Sequence, residues 1–145
     1  MAQVMIVDDE ENLRKSLGRI LSNEGYEVKL AASGEEALNL LGEFKPDAIL
    51  LDVKMPEMDG LQVCRRIRAD KNERIKSTPI IMITGYYGEK EEVLRAGADD
   101  FLEKPIDRTD VIIRIRCILK IGKISDKAER KKAYLEELKE SGMDW

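Results

Sequence analysis

The sequence predicts an α/β fold, a doubly wound parallel sheet of five strands with helices on both faces. Three observations carry this. Short apolar runs recur five times with a helical pattern after each. The central runs are continuously apolar, as strands buried on both faces are, and their ends are marked by acids, threonine, glycine or proline.

Val4 to Val7 is the first such run, and it stops at Asp8-Asp9-Glu10-Glu11. Leu13, Leu17, Ile20 and Leu21 then repeat at helical spacing until Gly25. Tyr26 to Ala31 alternates as a second strand. Ser33 with Glu36 three residues on reads as a capping box for a helix carrying Ala37, Leu38 and Leu41, and Pro46 closes that unit. Ala48 to Leu51 is the central strand. It ends in Asp52 and breaks into Val-Lys-Met-Pro-Glu-Met-Asp-Gly, so Asp52 is expected at the carboxyl edge of the sheet, where open α/β folds bind their ligands.

Leu61, Cys64 and Ile67 mark a third helix, with Arg65, Arg66 and Arg68 expected largely on its wet side. Lys71 to Thr78 reads as a polar connection. Pro79 opens the fourth strand, Ile80 to Ile83, which ends in Thr84-Gly85. Glu89 to Ala96 is a shorter helix stopped by Gly97, and Asp100 to Glu103 is the last strand, followed by Lys104-Pro105. Asp110 is expected to start the final helix, whose Val111, Ile112, Ile113, Ile115, Ile118 and Leu119 exceed what one face needs and leave surface for a partner. Beyond Gly122, the residues Ile121, Ile124, Ala128, Leu135 and Leu138 step by threes and fours. They permit a short coiled coil, a helix folding back on the domain, or a frayed tail. The organisation expected is a domain over residues 1–121 and a helical extension or linker over 122–145.

Composition limits the function. At 145 residues the chain is long enough for one domain with a real core. Net charge is -4, with no basic footprint for nucleic acid. No apolar run reaches the length needed to cross a bilayer, and there is no signal-peptide layout, so a cytoplasmic protein is expected. Cys64 and Cys117 lie inside helical patterns and read as small core residues. Histidine is absent, which removes the commonest nitrogen ligand and leaves oxygen donors for any metal.

Collected by strand end, Asp8 and Asp9, Asp52, Thr84 and Lys104 converge on one edge of the sheet. Carboxylates about 4 Å apart repel by around 4 kcal/mol per pair at an effective dielectric of 20, so such a cluster takes up protons or recruits a cation. Asp9, Asp52 and the backbone carbonyl near Lys54 can hold Mg2+, with Asp8 orienting it; Mn2+ would also satisfy these donors. With Lys104 as a positive charge, Thr84 as a hydroxyl donor and Asp52 as nucleophile, the pocket has the parts for phosphoryl transfer through an aspartyl-phosphate.

In this order and spacing, Val-Asp-Asp-Glu at 7–10, Leu-Asp-Val-Lys-Met-Pro-Glu-Met-Asp-Gly at 51–60, Ile-Thr-Gly at 83–85, Gly-Ala-Asp-Asp-Phe at 97–101 and Lys-Pro at 104–105 resemble the response-regulator receiver domains of two-component signalling. The resemblance covers roughly residues 3–121. It implies the flavodoxin-like strand order 2-1-3-4-5, and phosphorylation of Asp52 by a histidine kinase or histidine phosphotransferase with metal at Asp9, Asp52 and the Lys54 carbonyl. It also implies a switch through Thr84 and Phe101, a Lys104 that pairs with the phosphoryl oxygen, and a cis Lys104–Pro105 bond. Lys54 and Tyr86 would flank the phosphoryl group. The chain would be a phosphoacceptor that assists its own phosphorylation and dephosphorylation, with a downstream protein or domain as output and a homodimer through the last helix and extension as a candidate assembly.

Two rivals fit less well. A flavodoxin-like nucleotide binder needs a first loop rich in Ser, Thr and Gly where this one is Asp-Asp-Glu-Glu, and a phosphatase with an aspartyl-phosphate intermediate wants a second acid at position 54, which is lysine.

Overall fold

The computed structural model describes residues 1–85 and 90–143. Five parallel strands, β1 (Gln3–Val7), β2 (Glu27–Ala31), β3 (Ala48–Asp52), β4 (Ile80–Thr84) and β5 (Asp100–Glu103), form one sheet in the order β2-β1-β3-β4-β5. Around it lie α1 (Glu11–Asn23), α2 (Gly34–Leu40), α3 (Gly60–Arg68), α4 (Glu73–Lys76), α5 (Lys90–Arg95), α6 (Arg108–Ile121) and α7 (Lys127–Glu140).

The sheet divides the core in two because successive side chains of a strand face opposite ways. Met5 and Val7 pack with Ala37, Val63, Cys64, Ile67 and Val93 under α2, α3 and α5. Val4 and Ile6 pack with Leu17, Leu21, Val111, Ile115 and Ile118 under α1 and α6. All five residues of β3 and of β4 are buried, which is why those segments read as unbroken apolar runs. Both cysteines are free and buried, as their helical spacing predicted.

Four local expectations need correction. β2 begins at Glu27, one residue after Tyr26. The connection 71–78 contains a single helical turn, α4, started by the Asn72 side chain accepting from the Arg74 N–H at 3.0 Å. The last helix of the domain starts at Arg108: Asp107 is the N-cap and accepts from the Asp110 N–H at 2.9 Å, so Asp110 lies in the first turn. Arg68 is not on the wet side. Its guanidinium turns inward to the carbonyls of Lys76, Thr78 and Gly97. The expected helix start at Glu89 falls outside the described residues.

Beyond Gly122 the chain turns and α7 folds back against α6. Its buried residues are Arg130, Tyr134 and Leu138, spaced four apart along one stripe. Of the apolar steps read from the sequence only Leu138 is buried on this stripe, because two of its three positions are polar. Each polar side chain is satisfied. Arg130 forks onto Asp99 at 2.9 and 2.7 Å, and the Tyr134 hydroxyl donates to Asp100, which also takes Arg114 at 2.6 Å. Tyr134 and Leu138 join the core on the α6 side and cover part of the isoleucine surplus.

A buried hydrogen bond to a carboxylate contributes about 2 kcal/mol. Tyr134→Phe is therefore expected to lower unfolding stability by about 2 kcal/mol in urea titration, with helix content unchanged in circular dichroism.

Candidate functional site

The carboxyl edge of the sheet collects the polar ends of four strands. Val7 of β1 is in register with Leu51 of β3, so the residues that follow them, Asp8 and Asp52, lie side by side. Asp52 is in register with Ile83, and Thr84 with Glu103, which carries the edge across to Lys104. Oxygens of Asp8, Asp9 and Asp52 lie within 4.8 Å of one another. Lys104 Nζ is 3.4 Å from Asp52 Oδ1.

Burial sharpens the electrostatics. Asp8 is fully buried and Asp52 is 2 % exposed, whereas Asp9 is exposed. Burial, followed by the neighbouring Asp8 charge, raises the Asp52 pKa to about 6, and Lys104 opposes the rise. Burial also raises Asp8, against the Glu10 N–H that donates to its Oδ1 at 2.9 Å. Among the described residues, Asp8 Oδ2 is the one buried side-chain polar atom without a hydrogen-bond partner. A buried carboxylate with an orphaned oxygen, clustered with two further carboxylates, offers the donor set of a hard divalent cation, so the residues present fit Mg2+.

The loop after β3 is fixed by backbone. The Val53 N–H donates to the Ile83 carbonyl at 2.9 Å and the Gly60 N–H to the Val53 carbonyl at 2.8 Å. A Cβ at position 60 would overlap the Asp52 carbonyl oxygen and approach the Met82 methyl at 2.8 Å, so glycine is required where the loop closes under Asp52. Asp59 then caps α3 in a reciprocal box with Gln62. Glu57 sits at φ 67°, a left-handed position that the flanking turn imposes. On the far side, the Lys104 N–H donates to the Thr84 carbonyl at 2.9 Å, which fixes the start of the lysine side chain, and the Lys104–Pro105 bond is cis.

The structure thus brings Asp8, Asp9, Asp52 and Lys104 into one pocket, with Thr84 buried at the end of the adjoining strand. Lys54 is exposed in the β3–α3 loop, two residues past Asp52. Phe101 lies farther back, opposite Met82 and partly buried, with Lys90 Nζ 5.4 Å from its ring centre. Tyr86 falls outside the described residues.

The family model described as response regulator receiver domain matches residues 4–116. This chain belongs to that family. The response regulator MprA of Mycobacterium avium is 42 % identical over 129 residues, covering 88 % of this chain and 55 % of its own length. The chain therefore spans about half the length of the curated relatives it matches. Among solved structures, a response regulator from Chloroflexus aurantiacus is 38 % identical with a TM-score of 0.78, covering 82 % of this chain and 98 % of its own. The response regulator TrrA of Thermotoga maritima, solved in complex with Mg2+ and BeF, is 33 % identical with a TM-score of 0.72, covering 80 % of this chain and 97 % of its own. The protein is a receiver domain of two-component signalling, and no described helix is long and apolar enough to cross a membrane.

Sequence reading of this receiver missed Arg14, whose guanidinium donates to the Asp8 carbonyl at 2.8 Å and holds the acidic turn. Its signal was its place six residues past Asp8, on the first turns of α1, but one arginine on an amphipathic helix does not stand out from a solvated face.

The pKa directions define a pH dependence. The native Asp52 carboxyl binds its proton more tightly than the unfolded one, whose value is near 3.8, so its contribution to stability is complete below pH 4 and is lost as pH rises to about 6. Metal-free stability measured by denaturant titration is expected to fall across that window, and Asp52→Asn to remove most of the fall. Mg2+ affinity by calorimetry is expected to drop about tenfold per pH unit below pH 6, as protons compete for Asp52.

Proposed function

We propose that Asp52 is the phosphoacceptor of this receiver, taking a phosphoryl group from the phosphohistidine of a histidine kinase or histidine phosphotransferase. The observation that carries this is a buried, raised-pKa carboxylate with an ammonium 3.4 Å away and an orphaned acid oxygen beside it. An Asp52 oxygen attacks phosphorus while the P–N bond to the donor imidazole breaks, and the freed ring nitrogen keeps the bonding pair. Lys104 lies where it can hold an equatorial phosphoryl oxygen, and the Thr84 hydroxyl can turn toward another. Asp8, Asp9, Asp52 and the Lys54 backbone carbonyl would hold Mg2+, which supplies charge neutralisation when bound; Mn2+ satisfies the same oxygen set.

The output follows from charge. A phosphoryl group adds contacts that only one arrangement of Thr84 and Phe101 satisfies, and so shifts a pre-existing equilibrium. Phe101 belongs to β5, an edge strand of the sheet, so its rotation alters the surface formed by β5 and the flanking helices. That surface is where a downstream protein or domain would read the state. The domain reading is residues 1–121 as receiver, with 122–145 as its helical extension.

With acetyl phosphate and Mg2+, intact mass is expected to show one added phosphoryl group, labile to base and absent in Asp52→Asn. Lys104→Ala is expected to slow its formation on the order of a hundredfold. An adduct that survives in Asp52→Asn would overturn the assignment.

A further inference from the structure

A second concave site lies at the opposite end of β5, between α7 and the turn that leads into the strand. Its volume is about 630 Å3, within the range of small-molecule sites. The floor holds Arg68 and Arg130, and both guanidinia sit on one carboxylate: Arg68 Nη2 is 3.1 Å from Asp99 Oδ2, and Arg130 Nη2 is 2.7 Å from the same oxygen. Two largely buried positive charges share one negative charge. Their remaining bonds go to neutral carbonyls, of Lys76, Thr78 and Gly97 for Arg68 and of Ser77 and Ile124 for Arg130.

The rim adds to this excess. Lys76 and Arg95 stand on one wall and Lys127 and Lys131 on the α7 wall, with Glu73 the one further acid of the lining. Arg95 also pairs with Glu91 at 3.6 Å, at an exposed position where the pairing is weak. The chain as a whole carries net charge -4, so a cleft lined by six cations and two acids runs against the overall balance. It also costs folding free energy. Lys127 and Lys131 are like charges four apart on one helix, and Lys127 opens α7, where positive charge opposes the helix dipole. Leu94, Ala96 and Ala98 supply an apolar back wall. One occupant relieves each of these costs.

We propose that this cleft binds a small phosphate-bearing molecule, its phosphate between the α7 lysines and Lys76 and its organic part against Leu94 and Ala98. Phosphate matches the charge excess and the spread of flexible ammonium groups, and the volume admits a nucleotide-sized ligand. Because the α7 wall closes the cleft, a bound ligand holds the extension on the receiver. The proposal does not depend on phosphorylation of Asp52.

The test is a 1H–15N titration of the full chain with pyrophosphate and, separately, ATP, in chelator so that the acidic pocket is empty of metal. Saturable shifts are expected at the amides of Gly97, Ala98, Ser125, Lys127 and Lys131, and at least about tenfold weaker binding in K127E/K131E, whose side chains are exposed. Lys76→Glu, on the opposite wall, is expected to weaken binding similarly and serves if the double variant does not fold. Tighter binding of ATP than of pyrophosphate is expected, and equal binding would overturn the seat assigned to an organic part at Leu94 and Ala98. No saturable shift with either probe, shifts spread over surface lysines outside the cleft, or unchanged affinity in both variants overturns the proposal.

Discussion

The fold places three carboxylates on one edge of a sheet whose interior is apolar and buried, and the character of the site follows from how that repulsion is managed. Asp8 and Asp52 end neighbouring strands in register, so they cannot separate without breaking the β1–β3 ladder. Lys104 compensates one charge from across β4, while burial, with a smaller push from neighbouring acids, keeps the Asp8 and Asp52 carboxyls above their ordinary range and one Asp8 oxygen has no partner among the described residues. On the proposed reading, such a site is preorganised for a cation and for an incoming phosphoryl group, because its oxygens are already gathered on one edge of the sheet.

The sheet and its edge were legible because they obey short-range rules. Continuous apolar runs marked β3 and β4, and a polar residue at each strand end marked the pocket, so Asp8, Asp9, Asp52 and Lys104 were expected together and lie together. What escaped was whatever depended on tertiary partners. Arg68 read as a surface residue from its helix face alone; the Asp99 carboxylate and the carbonyls of Lys76, Thr78 and Gly97 explain its inward turn. The α7 stripe escaped for a related reason. Its inward face begins with arginine and tyrosine, residues that hydrophobic periodicity discounts, and their partners Asp99 and Asp100 are some thirty residues away in sequence.

Those two acids give the extension its place in the molecule. Asp99 and Asp100 immediately precede Phe101, so α7 is bonded to the start of the strand whose other end meets Lys104. Both ends of β5 are therefore fixed by charge, one through α7 and one at the acidic pocket. A receiver arranged in this way carries its extension as part of the domain's core on the α6 side and not as a loose linker.

The most direct measurement is the structure of this chain with Mg2+ and beryllium fluoride, a stable stand-in for a phosphoryl group. The metal is expected among the oxygens of Asp8, Asp9, Asp52 and the Lys54 carbonyl, with beryllium on Asp52 and the Lys104 ammonium and Thr84 hydroxyl on its fluorides. Beryllium on another carboxylate, or a metal seated away from these oxygens, would contradict it.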